Sequence, residues 1–391
     1  MNDKMNWKNV LTIGGAYTAY CIGAGFASGQ ETLQYYASWG GIYPFVLPAL
    51  TFVLMFVICY GTFETGYIKR FSSPNAAYGY YCGGVLGKIL DIFCTIAIGL
   101  STLIMFAGSG ATVNQYLGAP VWVGTLVMGV VSVVVVCFGL EKVTNVLGFV
   151  GTLIIVILIG VGIYCFCTAD SGVMQAQQNV QQYVDAGVIM RANFLGIENP
   201  ILAVTSLIGA YITLGLSFNV SLGGRCGSRR EVSASAVISA VLFCLGLCMV
   251  LFTIIFNMDY IAQTGAQIPM LAAIQNMLPA LALPFSVVIL LGVFTTITGY
   301  LWAVGRRFAE DRTKKQAVVV VITAVLGVSV ASVIPLDKLV NFIYPLIGAA
   351  GLVIFVGIVI KLVTEGRAPA AENLLKSQAI IQRKVISRKR A

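Results

Sequence analysis

The sequence predicts an all-α integral membrane protein with ten transmembrane helices in a five-plus-five inverted repeat, helices 1 and 6 being broken at the bilayer midplane. Three observations lead there. The 391 residues are 58% hydrophobic and only 10% charged, a composition that excludes a water-soluble domain. Apolar runs of spanning length recur at about 9–38, 42–68, 85–116, 120–140, 143–168, 200–224, 232–257, 280–308, 316–334 and 337–363. A polar stretch, 169–199, divides these runs into two halves of similar length, 9–168 and 200–363, with five spans each. Five is odd, so the second half sits upside down relative to the first, and a substrate site is expected where the two broken helices meet. The expected units are therefore 1–168, an external loop 169–199, 200–363 and a basic tail 364–391.

The first span carries the break. Residues 9–22 are small and apolar, and a helical pattern resumes from Thr32 to Trp39, but GAGFASGQE between them holds Gly23, Gly25 and Gly29. Each glycine costs a helix about 1 kcal/mol relative to alanine. Backbone unwound at membrane depth is tolerated only where it is buried in protein or lines a cavity. A second half-helix starting near Ala27 or Ser28 would aim free N–H groups at the midplane, which suits a carboxylate. Carbonyls freed around Ala19 to Ile22 would suit a small cation. Gly25 and Gly29 also have the GxxxG spacing of close helix packing, which requires neither Ser28, Gln30 nor Glu31. An ionisable residue inside a span is a functional candidate in its own right.

Spans 2 to 5 carry few polar residues; Glu64 and Asp91, near the inner ends of spans 2 and 3, read as interface or topology charges. Span 6, the first of the second half, contains LIGAYITLGLSFNVSLGG, where Gly215, Ser217 and Asn219 interrupt the apolar run and predict a second, weaker break. The alternative is that Gly215 serves packing and Ser217 bonds back to its own helix. Between spans 7 and 8, DYIAQTGAQIPMLAAIQNMLPA is too short and polar to span and reads as a hairpin or lid at the outer mouth. In span 8, GVFTTITGY offers the hydroxyls of Thr295, Thr296 and Thr298 to a dehydrated monovalent cation, although intramembrane threonines also bond to their own backbone. The tail has scattered Leu and Ile among basic residues and suits either an anionic lipid surface or a solubilising role.

Charge sets the orientation. With the N-terminus in the cytoplasm, all but Arg191 and Lys338 of the 24 Lys and Arg fall inside, so both termini are expected in the cytoplasm of a multi-pass cell-membrane protein. The net charge of +9 is thus a topology signal and not a nucleic-acid signature. The N-terminus runs into the first span without a small-residue cleavage site, so no signal peptide is expected. Histidine is absent and the ten cysteines are scattered without a CxxC, which argues against histidine chemistry, a cysteine metal site, a disulfide framework and an intramembrane enzyme.

The motif IGAGF, Ile22 to Phe26, resembles the broken first helix of the amino acid–polyamine–organocation superfamily, which has the LeuT fold. GAGFASGQE, together with MFAGSGATVNQ in span 3, is similar more narrowly to the YkvI-type bacterial membrane proteins. The resemblance covers the whole membrane region and implies secondary transport of a small zwitterion such as an amino acid by alternating access, coupled to one sodium ion. It implies a sodium site formed by the backbone carbonyls of Ala19 and Ile22 opposite Gly292, Thr295 and Thr296. It also implies a substrate carboxylate held at Gly23, Ala24 and Gly25, with Ser28 and Gly215 nearby and Phe218 covering the substrate. Phe26 stands where a polar amide would help to bind a second sodium ion, so that site is not expected although Thr213 matches it. Glu31 is unusual in this fold; it suits a substrate amine, a proton or an outer gate. Two alternatives therefore stand beside sodium symport: proton coupling or exchange through Glu31, and a receptor that binds without translocating.

Overall fold

The computed structural model describes residues 5–21, 24–71, 73, 75–138, 144–169, 171–310 and 312–365. Ile22, Gly23 and residues 366–391 of the basic tail lie outside the described residues. The described chain is helical, and its one β feature is an isolated bridge between Phe194 and Ile197. In order, the helices are α1 (Trp7–Cys21), α2 (Ala24–Ser28), α3 (Gln30–Tyr35), a 3-10 turn (Ala37–Trp39), α4 (Tyr43–Lys69), α5 (Ala76–Cys82), α6 (Gly84–Leu117), α7 (Val121–Phe138) and α8 (Thr144–Thr168). They continue with α9 (Val180–Asp185), α10 (Pro200–Gly223), α11 (Arg229–Phe256), α12 (Met258–Thr264), α13 (Pro269–Met277), α14 (Pro279–Phe308), α15 (Lys314–Ala331) and α16 (Leu336–Glu365).

Seven of these, α4, α6, α10, α11, α14, α15 and α16, are long and apolar enough to cross a membrane, and shorter apolar helices cover Val121–Cys137 and Leu153–Thr168. Local chemistry sets several boundaries. Asn199 caps α10, its side chain accepting from the backbone N–H groups of Ile201 and Leu202 at 3.0 and 3.1 Å, with Pro200 following as the first helical residue. Ser228 and Thr313 cap α11 and α15 in the same way, each accepting an N–H three residues on at 3.2 Å. In the first segment Gly29 has φ 82°, a left-handed conformation that separates α2 from α3 and that a side chain would strain.

Span 6 departs from expectation: α10 is one continuous helix from Pro200 to Gly223 and is not broken at Gly215–Asn219. The residues that suggested a break have other tasks. A Cβ on Gly215 would sit 3.0 Å from the Tyr20 ring, so its absence admits that ring, and the Ser217 hydroxyl donates to Asn75 Oδ1 at 2.8 Å. The helix is also clamped by its neighbours. Against α16 the two backbones touch where Gly209 meets Gly348 and Gly351, and against α4 where Gly223 meets Phe63. Small residues at such crossings give membrane helices the close approach that dispersion needs.

Candidate functional site

Between α1, α5, α6, α10 and α14 lies a cavity of about 750 Å3. Small residues on one face of α14, Gly292, Gly299 and Ala303, leave the space, and aromatic side chains edge it: Tyr20, Tyr78, Phe218, Tyr300 and Trp302. Tyr20 stacks on Phe218 with ring centroids 4.8 Å apart, which joins α1 to α10 across the cavity. Besides the tyrosine hydroxyls, the Trp302 indole, the Cys94 thiol and the two arginines named below, the polar groups are Asn75 with Ser217 and the hydroxyls of Thr295 and Thr296. Both threonines donate to the Gly292 carbonyl, at 2.7 and 3.0 Å, so their own helix holds them while their oxygen lone pairs remain able to accept. At one end the cavity reaches the surface beside exposed Arg306 and Arg307, and Arg307 Nη1 donates to Asp91 Oδ2 at 2.9 Å. Glu64 likewise pairs with Arg229, at 3.5 Å.

Glu31 lies outside that lining. It is 3% exposed, Oε1 accepts from the Tyr344 hydroxyl at 2.7 Å and Oε2 from the Tyr211 hydroxyl at 2.6 Å. The two bonds tie α3 to α16 and α10, and no Lys or Arg pairs with Glu31 among the described residues. The carboxylate lies directly over Gly25, where an added Cβ would collide with Glu31 Oε1 and stand 3.2 Å from the Tyr344 oxygen. Gly25 is needed because the carboxylate takes the room a side chain would use. Further contacts join distant segments. Gln34 Nε2 donates to the Asp337 carbonyl at 2.9 Å, and Gln115 exchanges hydrogen bonds with the backbone of Ile268 just ahead of α13, at 2.9 and 3.1 Å. Arg191 Nη2 donates to the Ser38 carbonyl at 2.7 Å while its guanidinium lies 4.7 Å from the Trp39 ring centroid, which docks the 171–199 segment on the 3-10 turn.

The residues singled out in the sequence fall into three groups. Ala19, Phe218, Gly292, Thr295 and Thr296 line the one cavity. Gly25 and Glu31 meet each other away from that lining, and Ser28 closes a local turn, donating to the Gly25 carbonyl at 2.6 Å and accepting from the Gln30 N–H at 3.2 Å. Ala24 begins α2, and Gly215 packs against Tyr20 without lining the cavity. Thr213 is fully buried and its hydroxyl faces the carbonyls of Gly209 and Ile347, each at 3.1 Å. Tyr20, Asn75, Tyr78, Tyr211 and Tyr344 were not recognised as site residues from the sequence. The available signal was a tyrosine inside an otherwise apolar span, whose hydroxyl needs a partner when buried.

Comparison with known proteins agrees with this architecture. No protein-family model matches the sequence. The chain is 23% identical over 346 residues to the membrane protein YkvI of Bacillus subtilis (strain 168), covering 87% of this chain and 92% of YkvI. It is 23% identical over 342 residues to YyaD of the same organism, covering 86% and 91%. Among solved structures it superposes on MhsT in complex with L-phenylalanine with TM-score 0.61 at 13% identity, over 92% of this chain and 90% of MhsT. The Eremococcus coleocola manganese transporter gives 0.54 at 14% identity, over 97% and 93%. The inward-facing conformation of Mhp1 gives 0.52 at 16%, over 82% and 69%. The chain thus has a LeuT-like fold and is similar along most of its length to YkvI and YyaD.

Proposed function

We propose that this chain, with its LeuT-like fold and its likeness to YkvI and YyaD, is a secondary transporter that moves a small zwitterion, such as an amino acid, by alternating access coupled to one sodium ion. The observation that carries the proposal is the cavity whose lining brings Ala19, Gly292, Thr295 and Thr296 together with the stacked Tyr20 and Phe218 and with Arg306. In this reading the first segment, α7 and α8 complete ten crossings, the halves 1–168 and 200–363 form an inverted repeat, and positive charge places the Arg306 end in the cytoplasm. The conformation described is then open inward and closed outward. Inward movement of one positive charge supplies about 2.3 kcal/mol per 100 mV.

The test is thermal stability of the purified chain against an amino-acid panel in sodium and in choline, followed by uptake into sealed vesicles. A substrate that binds only the folded state raises stability by mass action. Sodium-dependent stabilisation and accumulation support the proposal; saturable binding without accumulation refutes transport. Glu31, buried with no cation partner among the described residues, favours a second reading in which protons are the coupling ion. In that case uptake survives sodium removal and follows the pH gradient.

A further inference from the structure

Where α4 and α16 end, three elements enclose a small cleft apart from the large cavity. Lys69 is the last residue of α4, Lys361 lies one turn before the end of α16 and Tyr80 belongs to α5, and all three line the cleft. Both lysines rest on the same ring: Lys69 Nζ stands 5.0 Å and Lys361 Nζ 4.7 Å from the Tyr80 centroid. The two ammonium groups therefore lie within about 10 Å of each other, one Debye length at 0.1 M salt, so an anion between them feels both. We propose that this cleft binds the phosphate of an anionic glycerophospholipid whose acyl chains lie along the outward face of α16. Only the choice of leaflet rests on the orientation proposed above, which places this end in the cytoplasm; the binding chemistry is independent of it and of what the large cavity carries.

The site is held in shape before a ligand arrives. Gly61 of α4 lets α16 approach so closely that an added Cβ would stand 2.5 Å from Ile358 and 3.1 Å from Leu362, and both of those side chains line the cleft. The Tyr81 hydroxyl donates to the Gly61 carbonyl at 3.2 Å, and a Cβ on Gly357 would stand 2.7 Å from the Tyr81 carbonyl oxygen, so α5 is fixed against both helices. Such a floor presents the two lysines without further ordering cost. The enclosed volume is about 30 Å3, the share of one water molecule, so a phosphate seats an oxygen there while the rest of the headgroup stays outside. Lys69 is exposed and Lys361 half-buried, which leaves both within reach from outside, and each ammonium carries three donors. Glu64 also lines the cleft, but Arg229 stands 3.5 Å from it and offsets its charge. Next to Lys361, α16 turns Val353, Val356, Ile360 and Val363 outward, exposed by 44, 56, 54 and 60% and three or four residues apart on one face. A basic pair at the end of an apolar helix face matches a lipid that is anionic at its head and apolar below it.

The test uses the full-length chain, delipidated in detergent and titrated with dioleoyl phosphatidylglycerol, dioleoyl phosphatidylcholine or inorganic phosphate. Native mass spectrometry reads retained lipid and a thermal scan reads the unfolding midpoint. Phosphatidylglycerol is expected to be retained and to raise the midpoint, and the other two to leave it unchanged. Lys69→Gln combined with Lys361→Gln should weaken retention about tenfold, whereas Arg383→Gln combined with Lys384→Gln, which removes the same charge from the basic tail, should leave it unchanged. Equal retention of phosphatidylcholine, equal stabilisation by inorganic phosphate, or an equal loss in the two paired variants overturns the inference. Hydrogen exchange on the unsubstituted chain decides even if the cleft variant fails to fold. Protection by phosphatidylglycerol is expected across 69–82 and 357–365, and protection confined to the tail at 366–391 overturns the site.

Discussion

The bonds from Tyr211 and Tyr344 to Glu31 allow a quantitative test of how the outer end is held shut. Replacing either tyrosine by phenylalanine deletes one oxygen and leaves ring packing in place. Each hydroxyl donates to a carboxylate at 2.6 or 2.7 Å in a dry environment, so each bond is charge-assisted and worth about 1.5–3 kcal/mol. Since 1.4 kcal/mol is a factor of ten, either substitution should raise the open fraction of this end roughly tenfold to a hundredfold. The double variant should depart from additivity, because it strips the carboxylate of every donor described around it. Backbone hydrogen exchange reads the opening directly, without introducing a label into a chain with ten native cysteines. Exchange across 30–39 should accelerate by about that factor, while the glycine-packed crossing of α10 and α16 keeps its protection. Unchanged exchange at 30–39, or an equal rise throughout the chain, would refute the assignment of these bonds as the tie that closes this end.

Three further outcomes are expected. Gly351→Ala places a Cβ against backbone atoms of Gly209, with Gly209 Cα at 2.6 Å, and backbone cannot swing aside; a loss of about 2–3 kcal/mol should appear as a lower unfolding midpoint, and an unchanged midpoint would contradict the close crossing. Thr296→Ala should reduce sodium-dependent stabilisation by tenfold or more in apparent affinity while Thr296→Ser, which keeps the oxygen, preserves it; equal sodium responses in both would remove Thr296 from the cation site. Arg191→Ala loses the bonds to Ser38 and Gln181 and the stack on Trp39, about 1–2 kcal/mol of docking energy, so limited proteolysis should cut 171–199 faster. Arg191→Lys should recover only part of that protection, because it lacks the planar fork.

How much of this could be read from the sequence follows from the range of each interaction. Helix bounds were legible because an apolar run is local: the apolar segment 200–224 became α10 at Pro200–Gly223, and 280–308 became α14 at Pro279–Phe308. The interruption within GAGFASGQE was legible as a glycine-rich run, but its position was not: the second half-helix was expected from near Ala27 or Ser28, whereas Ala24–Ser28 is itself helical and the next helix starts at Gln30, after left-handed Gly29. Span 6 was misread because the meaning of Gly215 and Ser217 lies in distant partners, Tyr20 on α1 and Asn75 ahead of α5. The motif GVFTT drew attention through its hydroxyls, but only the fold brings Gly292, Thr295 and Thr296 into the lining of the same cavity as Ala19. Glu31 stood out as an intramembrane charge, whereas its partners are 180 and 313 residues away, and no local pattern announces a tyrosine at that distance.

The unmet polar atoms of α3 bear on why this end should open at all. In a six-residue helix, Gln30 Oε1, Thr32 Oγ1, Gln34 Oε1 and Tyr35 OH are buried and have no hydrogen-bond partner among the described residues. Each such atom costs about 1–3 kcal/mol relative to one that is hydrated. A segment with no other conformation would gain stability by replacing these side chains with apolar ones of similar shape. Their presence follows if the same face is wetted part of the time, because water then satisfies the groups and lowers the free energy of the open form. The Glu31 bonds act in the opposite sense by rewarding closure with two charge-assisted contacts. Two opposing contributions of a few kcal/mol each leave a small difference, which is the condition under which a ligand that prefers one form can shift the balance between open and closed.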